Sequence, residues 1–135
     1  MNNGQDLNYL LNDFVARVPR VTHVLAVSSE GMLIARDDGL HVDQAERLSA
    51  IASGLVSLLA GAARSLRADP VISNLTQIQG GFMFSMSVAG GASLLALADR
   101  GCDIGQVGHE LATLINQVGP ALTPRNRFNS FGSTH

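Results

Sequence analysis

The sequence contains no lysine and no tryptophan, a single cysteine, a single tyrosine, and only 15% charged residues. Each scarcity excludes something. All nine basic residues are Arg, so there is no P-loop ammonium for a nucleotide phosphate, no Schiff-base amine and no Ser-Lys dyad. The chain is therefore not a P-loop NTPase. The lone Cys102 excludes an internal disulfide framework and any CxxC redox or zinc motif, and agrees with a cytoplasmic setting. A net charge of −2 and a pI near 6.0 lack the basic face of a nucleic-acid binder, so no nucleic acid is expected as a partner. Met1-Asn2-Asn3-Gly4-Gln5-Asp6 offers neither a positive n-region nor an apolar h-region, and no secretory signal is expected. The longest uncharged stretch, Leu48 to Ala63, has 16 residues including three Ser and two Gly. A membrane span needs roughly 20 mostly apolar residues, so the expectation is a buried helix and no direct membrane insertion.

What the chain has is aliphatic surface. Of its 135 residues, 46% are hydrophobic and 4% aromatic, with a mean hydropathy of +0.20. An average domain carries roughly 25% charge. Disorder is excluded for most of the length, and the length fits one domain. A domain of this size buries only about two thirds of its unfolded surface. Surplus Leu, Val and Ala then points toward an oligomer.

The apolar pattern orders the elements. Asp6 is placed to cap a first helix carrying Leu7, Leu10, Leu11, Phe14, Val15 and Val18, ended by Pro19. Thr22 to Ser29 reads as a strand covered on both faces. Glu30-Gly31 turns the chain into a second strand, Met32 to Arg36, and Asp37-Asp38-Gly39 closes the hairpin as a solvated turn. Asp43, with Glu46 three residues on, is expected to cap a long helix running to Arg67. Pro70 to Gln79, Phe82 to Val88 and Ala92 to Ala98 follow as strands, joined by Gly80-Gly81 and Ala89-Gly90-Gly91 turns. A last helix begins near Asp103 and stops at Gly119-Pro120. The order α-β-β-α-β-β-β-α makes an α+β layered domain with a five-stranded antiparallel sheet. The expected domain spans residues 1–120, with a flexible C-terminal tail at 121–135.

The long helix is apolar over more than one core requires. Ala45, Leu48, Ala52, Leu55, Leu59, Ala62 and Leu66 are spaced 3-4-3-4-3-4. Ile51, Val56, Leu58 and Ala63 lie beside or beyond that stripe, and a single sheet contact uses an arc of little over 100°. The second face meets either another helix of the same chain or a second copy; the low overall charge favours the copy. In the third strand Ile72, Asn74, Thr76 and Ile78 face one way and Ser73, Leu75 and Gln77 the other. That mixture suits an edge, either plainly polar or paired with another chain. The expected dimer interface is Leu48, Ala52, Leu55, Leu59, Ala62, Leu66, Ile72, Asn74 and Thr76.

Motifs for chemistry are sparse. His23, His41, His109 and His135 are scattered, and His109-Glu110 lacks the second His of a zincin. No metal or cofactor is expected. Cys102 opens the last helix, where a thiol pKa can fall, although a plain loop cysteine is the simpler reading. Ser93 is not in a nucleophile elbow, and the paired glycines lack the helix of a dinucleotide fingerprint. The chain is expected to be no enzyme on its own. Arg125, Arg127, Phe128 and Phe131 form either a short docking segment or a frayed end.

"VLAVSSEGMLIAR" (24–36), the Ala/Leu/Ser/Gly-rich helix from Ala45 to Arg67 and "SLLALAD" (93–99) resemble the Roadblock/LC7 family, over about residues 6 to 120. "RVTHVLAVSSEGMLIARDDGL" and "ISNLTQIQGGFMFSMSV" are most similar to the roadblock component of actinobacterial conservon operons. The resemblance implies a profilin-like sandwich whose long helices pair and whose sheets join in a dimer. It also implies a non-catalytic, homodimeric platform for a Ras-like small GTPase, cytoplasmic and peripheral to the membrane through a sensor-kinase-like partner. Arg36, Arg47, Arg64, Arg67 and Arg100 are candidates for an arginine finger by charge alone; the resemblance favours repositioning of the GTPase's own residues. Two other readings stand beside this one: a small-ligand-sensing α+β module, and a kinase-assembly subunit without effect on GTP turnover.

Overall fold

The structure is a computed structural model and describes residues 3–122, with side chains from Leu7 onward. Leu7, Leu11, Phe14 and Val18 recur at helical spacing and form the buried stripe of α1 (Asn3–Arg17). The helix begins before Asp6, which therefore lies inside it and is not its cap. β1 (Val21–Val27) and β2 (Leu33–Arg36) pair as the expected antiparallel hairpin. Its turn depends on Gly31 at φ 85° and on Ser28, whose Oγ accepts from Met32 N at 3.0 Å.

After α2 (Val42–Ser65) come β3 (Ser73–Ile78), β4 (Gly81–Ser87), β5 (Ser93–Asp99) and α3 (Ile104–Leu122). The sheet order is β2-β1-β5-β4-β3, antiparallel at every pairing. β3 is an edge strand, as its mixed pattern suggested. Ile78 pairs with Gly81, so the tight turn is Gln79-Gly80 and not Gly80-Gly81. Gly81 must be glycine, because a Cβ there would overlap the Ala98 carbonyl of β5.

Period-two alternation divides the core between two sheet faces. Val24 and Ala26 of β1, with Leu94, Ala96 and Ala98 of β5, point to the layer of α1 and α3. Arg17 Nη1 also ties these two helices together, through Glu110 Oε1 at 2.8 Å. Leu25, Val27 and Leu95 point the other way, to Leu40 and to Ala45 and Ala52 of α2. Among the described residues α2 is thus alone on its face of the sheet.

Two expectations at helix ends need correction. α2 is capped by His41, whose Nδ1 accepts from Asp43 N at 3.2 Å; Asp43 sits in the first turn instead. α3 does begin at Asp103, whose Oδ1 accepts from Gln106 N at 3.0 Å. It does not stop at Gly119-Pro120, however. The helix carries Pro120 within its last turn and ends at Leu122, which is fully buried in the core. Burial of Leu122 outweighs the local cost of the proline, which has no N–H to donate to the helix. Residues 123–135, the bulk of the expected tail, lie outside the described residues.

Candidate functional site

α2 is the most unusual element. Its 24 residues include only three buried ones, Ala45, Ser49 and Ala52, all in its first half. The buried Ser49 hydroxyl is satisfied by donating to Ala45 O at 2.8 Å. Beyond Gly54 no residue of α2 is fully buried. The expected buried helix is therefore buried only in its first half within one chain. Ile51 and Leu58 are exposed, Leu58 by 77%, and Leu66 at the C-cap by 75%. By length and composition α2 could cross a membrane. Its first half is nevertheless built into the Leu25, Val27 and Leu95 core, and insertion would dismantle that layer.

The expected interface residues divide in the structure. Ala52 is 3% exposed and belongs to the chain's own core. Leu48 packs partly against the same core. Leu55 and Leu59 are half-buried, and Ala62 and Leu66 are exposed. Ile51 and Leu58 extend this surface and fall outside the heptad stripe. Their signal was the 4-3-4 spacing of Ile51, Leu55, Leu58 and Ala62. α1 and α3, packed on the opposite sheet face, cannot cover it.

The exposed ridge continues onto the edge strand. The register with β4 and β5 places Asn74 and Thr76 on the α2 side of the sheet, opposite Ser85 and Met83. Both are half-buried, whereas Ile72 is 70% exposed. Asn74 Oδ1 is buried without a hydrogen-bond partner among the described residues. Two hollows flank α2. One, about 540 Å³, lies between its second half and the sheet end, lined by Val56, Ala60, Val71, Ile72 and Val88 among others. The other, about 260 Å³, lies by Leu48, Ile78, Phe82, Met83 and Leu97.

Elsewhere the polar groups serve the fold. Asp37, expected in a solvated turn, is 3% exposed. Its Oδ1 accepts from Val24 N at 2.8 Å and its Oδ2 meets His23 Nδ1 at 3.0 Å. The carboxylate thus fastens the loop to β1; Asp38 alone is exposed. Burial, aided by Asp99 and Asp103, pushes the Cys102 thiol pKa up, opposite to an activated thiolate. Of the candidate finger residues, Arg36 donates to Leu40 O at 2.8 Å within its own loop. Arg47, Arg64, Arg67 and Arg100 are exposed and on no common site. His109 lies on the exposed face of α3.

Fold and surface together define the class: a profilin-like α+β domain with one helix left largely uncovered. The Roadblock/LC7 domain model matches residues 7–98. A Roadblock/LC7 domain from Streptomyces avermitilis is 30% identical, with a TM-score of 0.80 over 85% of this chain and 96% of that one. The chain belongs to the Roadblock/LC7 family. Myxococcus xanthus MglB shares the fold at 14% identity, with a TM-score of 0.77 over 86% of this chain and 94% of that one. LokiProfilin1, in complex with rabbit actin, shares it at 9% identity and a TM-score of 0.59, over 90% of this chain and 98% of that one. Curated proteins return no match.

Proposed function

We propose that the protein is a non-catalytic, homodimeric platform for a Ras-like small GTPase, acting in the cytoplasm within a conservon-type assembly that includes a sensor-kinase-like membrane protein. Membership of the Roadblock/LC7 family supports the GTPase-regulating class. One observation carries the dimer: an apolar ridge, from Ile51 through Leu58 to Leu66 and on to Ile72, lies on a sheet face that no other helix reaches among the described residues. A second copy supplies the same ridge and the same open edge, so a two-fold pairing is self-complementary. The chain contains no lysine, so in this reading the partner binds the GTP.

The test of the platform is GTP turnover by the small GTPase recovered with the protein from its native host. A rate changed by equimolar protein supports regulation. An unchanged rate favours the kinase-assembly reading, and recovery of neither a GTPase nor a kinase contradicts both. The hollow beneath α2 is the observation that favours a ligand-sensing module. A metabolite that raised the melting temperature, with no protein partner needed, would establish that alternative.

A further inference from the structure

We propose that the hollow beneath the second half of α2 binds a small zwitterion with a bulky apolar body, of the class of an aromatic α-amino acid. The hollow is about 540 Å³, within the size range of small-molecule pockets, roughly 300–1,000 Å³. Val56 and Ala60 of α2, Pro70, Val71 and Ile72 of the connector, and Ala89 after β4 give it apolar walls. An unfilled apolar space forfeits dispersion contacts that an apolar occupant restores.

The polar groups at its margin select the ligand class. Arg64 and Asp69 line the same hollow with opposite signs, and both are exposed. Neither forms an ion pair among the described residues, so they do not neutralise each other. Two opposite charges held apart at one mouth suit a ligand that carries both: a carboxylate for the Arg64 guanidinium and an ammonium for the Asp69 carboxylate. Neutral hydrogen-bonding groups lie beside them. Ser87 lines the hollow, and its hydroxyl has no partner among the described residues. The amides of Ala89 and Gly90 have none there either; they belong to a turn in which Gly90 and Gly91 both take φ 92°. Apolar walls with a few convergent polar groups are the pattern of a small-molecule site. A second copy suits the hollow less well. The ridge it offers, Ile51, Leu58 and Leu66, is apolar and would cover both charges without pairing them.

The proposal rests on neither the dimer nor the GTPase, although Ile72 borders both the hollow and the ridge. It is tested on the full chain by calorimetric titration, with light scattering and circular dichroism on the same samples. The probes are L-tryptophan, indole-3-propionate, which lacks the ammonium, and tryptamine, which lacks the carboxylate. The expected result is saturable binding of L-tryptophan, with each single-charge analogue about three- to tenfold weaker. Arg64→Ala should reduce L-tryptophan to the level of tryptamine, and Asp69→Asn to that of indole-3-propionate; both changes are at exposed sites that leave the core intact. Ala60→Trp, which fills the hollow from the helix side, should abolish binding in a protein that circular dichroism shows to be folded. No saturable binding of L-tryptophan would overturn the proposal, and so would analogues that bind as tightly as the zwitterion. Binding that survives both rim variants unchanged would place the ligand elsewhere and overturn it as well. Binding seen only in a dissociated Leu58→Arg variant would make the native occupant a second copy, with the same consequence. The platform reading is decided separately, by GTP turnover and by mass.

Discussion

At the scale of single residues, buried polar atoms decide more than the exposed charges. Asp37 holds two donors while almost wholly out of water. Asp37→Ala leaves the Val24 amide without that acceptor and should cost about 1–3 kcal/mol in urea unfolding. Asp37→Asn keeps an acceptor oxygen and should cost less. Equal losses would mean that the carboxylate charge, not the acceptor, is what matters. The sequence hid this residue because Asp-Asp-Gly reads as a solvent turn; only the return of the chain beside β1 shows which Asp points inward. Cys102 was half legible. Its position before α3 left a lowered thiol pKa open beside the simpler reading of a plain loop cysteine, and burial with two carboxylates raises the pKa instead. A raised pKa keeps the thiol protonated to higher pH, so alkylation by iodoacetamide at pH 8 should be slower than for free cysteine. A faster reaction would contradict that sign.

At the scale of elements, α2 is where sequence pattern and structure part company. The wide apolar arc announced a helix with two partners, and the structure supplies one of them. The heptad stripe nevertheless mixed two faces. Ala45 and Ala52 go to the sheet, while Leu55, Ala62 and Leu66 flank the exposed side with Ile51 and Leu58. Spacing alone cannot say which side of a continuous apolar arc faces the sheet, because both sides are apolar. The structure turns this into a contrast. Ala52→Arg puts an unpaired charge in the core and should unfold the protein. Leu58→Arg, at a site already exposed, should leave the circular dichroism of the fold intact and separate the copies. Gly81→Ala should cost about 1–3 kcal/mol through collision with the Ala98 carbonyl. The hairpin pairings and the edge position of β3 were readable from Gly-marked turns and mixed polarity, whereas the β1–β5 pairing that joins the two sets was not. The run of α3 through Pro120 was not, since the burial of Leu122 that holds it is a tertiary fact.

At the scale of the whole molecule, the low charge and high aliphatic content find their place. One sheet face is closed by α1 and α3, and the other carries a helix longer and more apolar than the described residues cover. The protein belongs to the Roadblock/LC7 family, and the exposed ridge of α2 is the surface on which the proposed dimer rests. The residues that would face the proposed GTPase were not legible, because no motif in the sequence marks a partner-binding surface. The most direct test is the solution mass of the full chain by light scattering after gel filtration, at high micromolar concentration. The account predicts about twice 14.2 kDa for the native protein and 14.2 kDa for a folded Leu58→Arg variant. A native protein of 14.2 kDa at that concentration would contradict it.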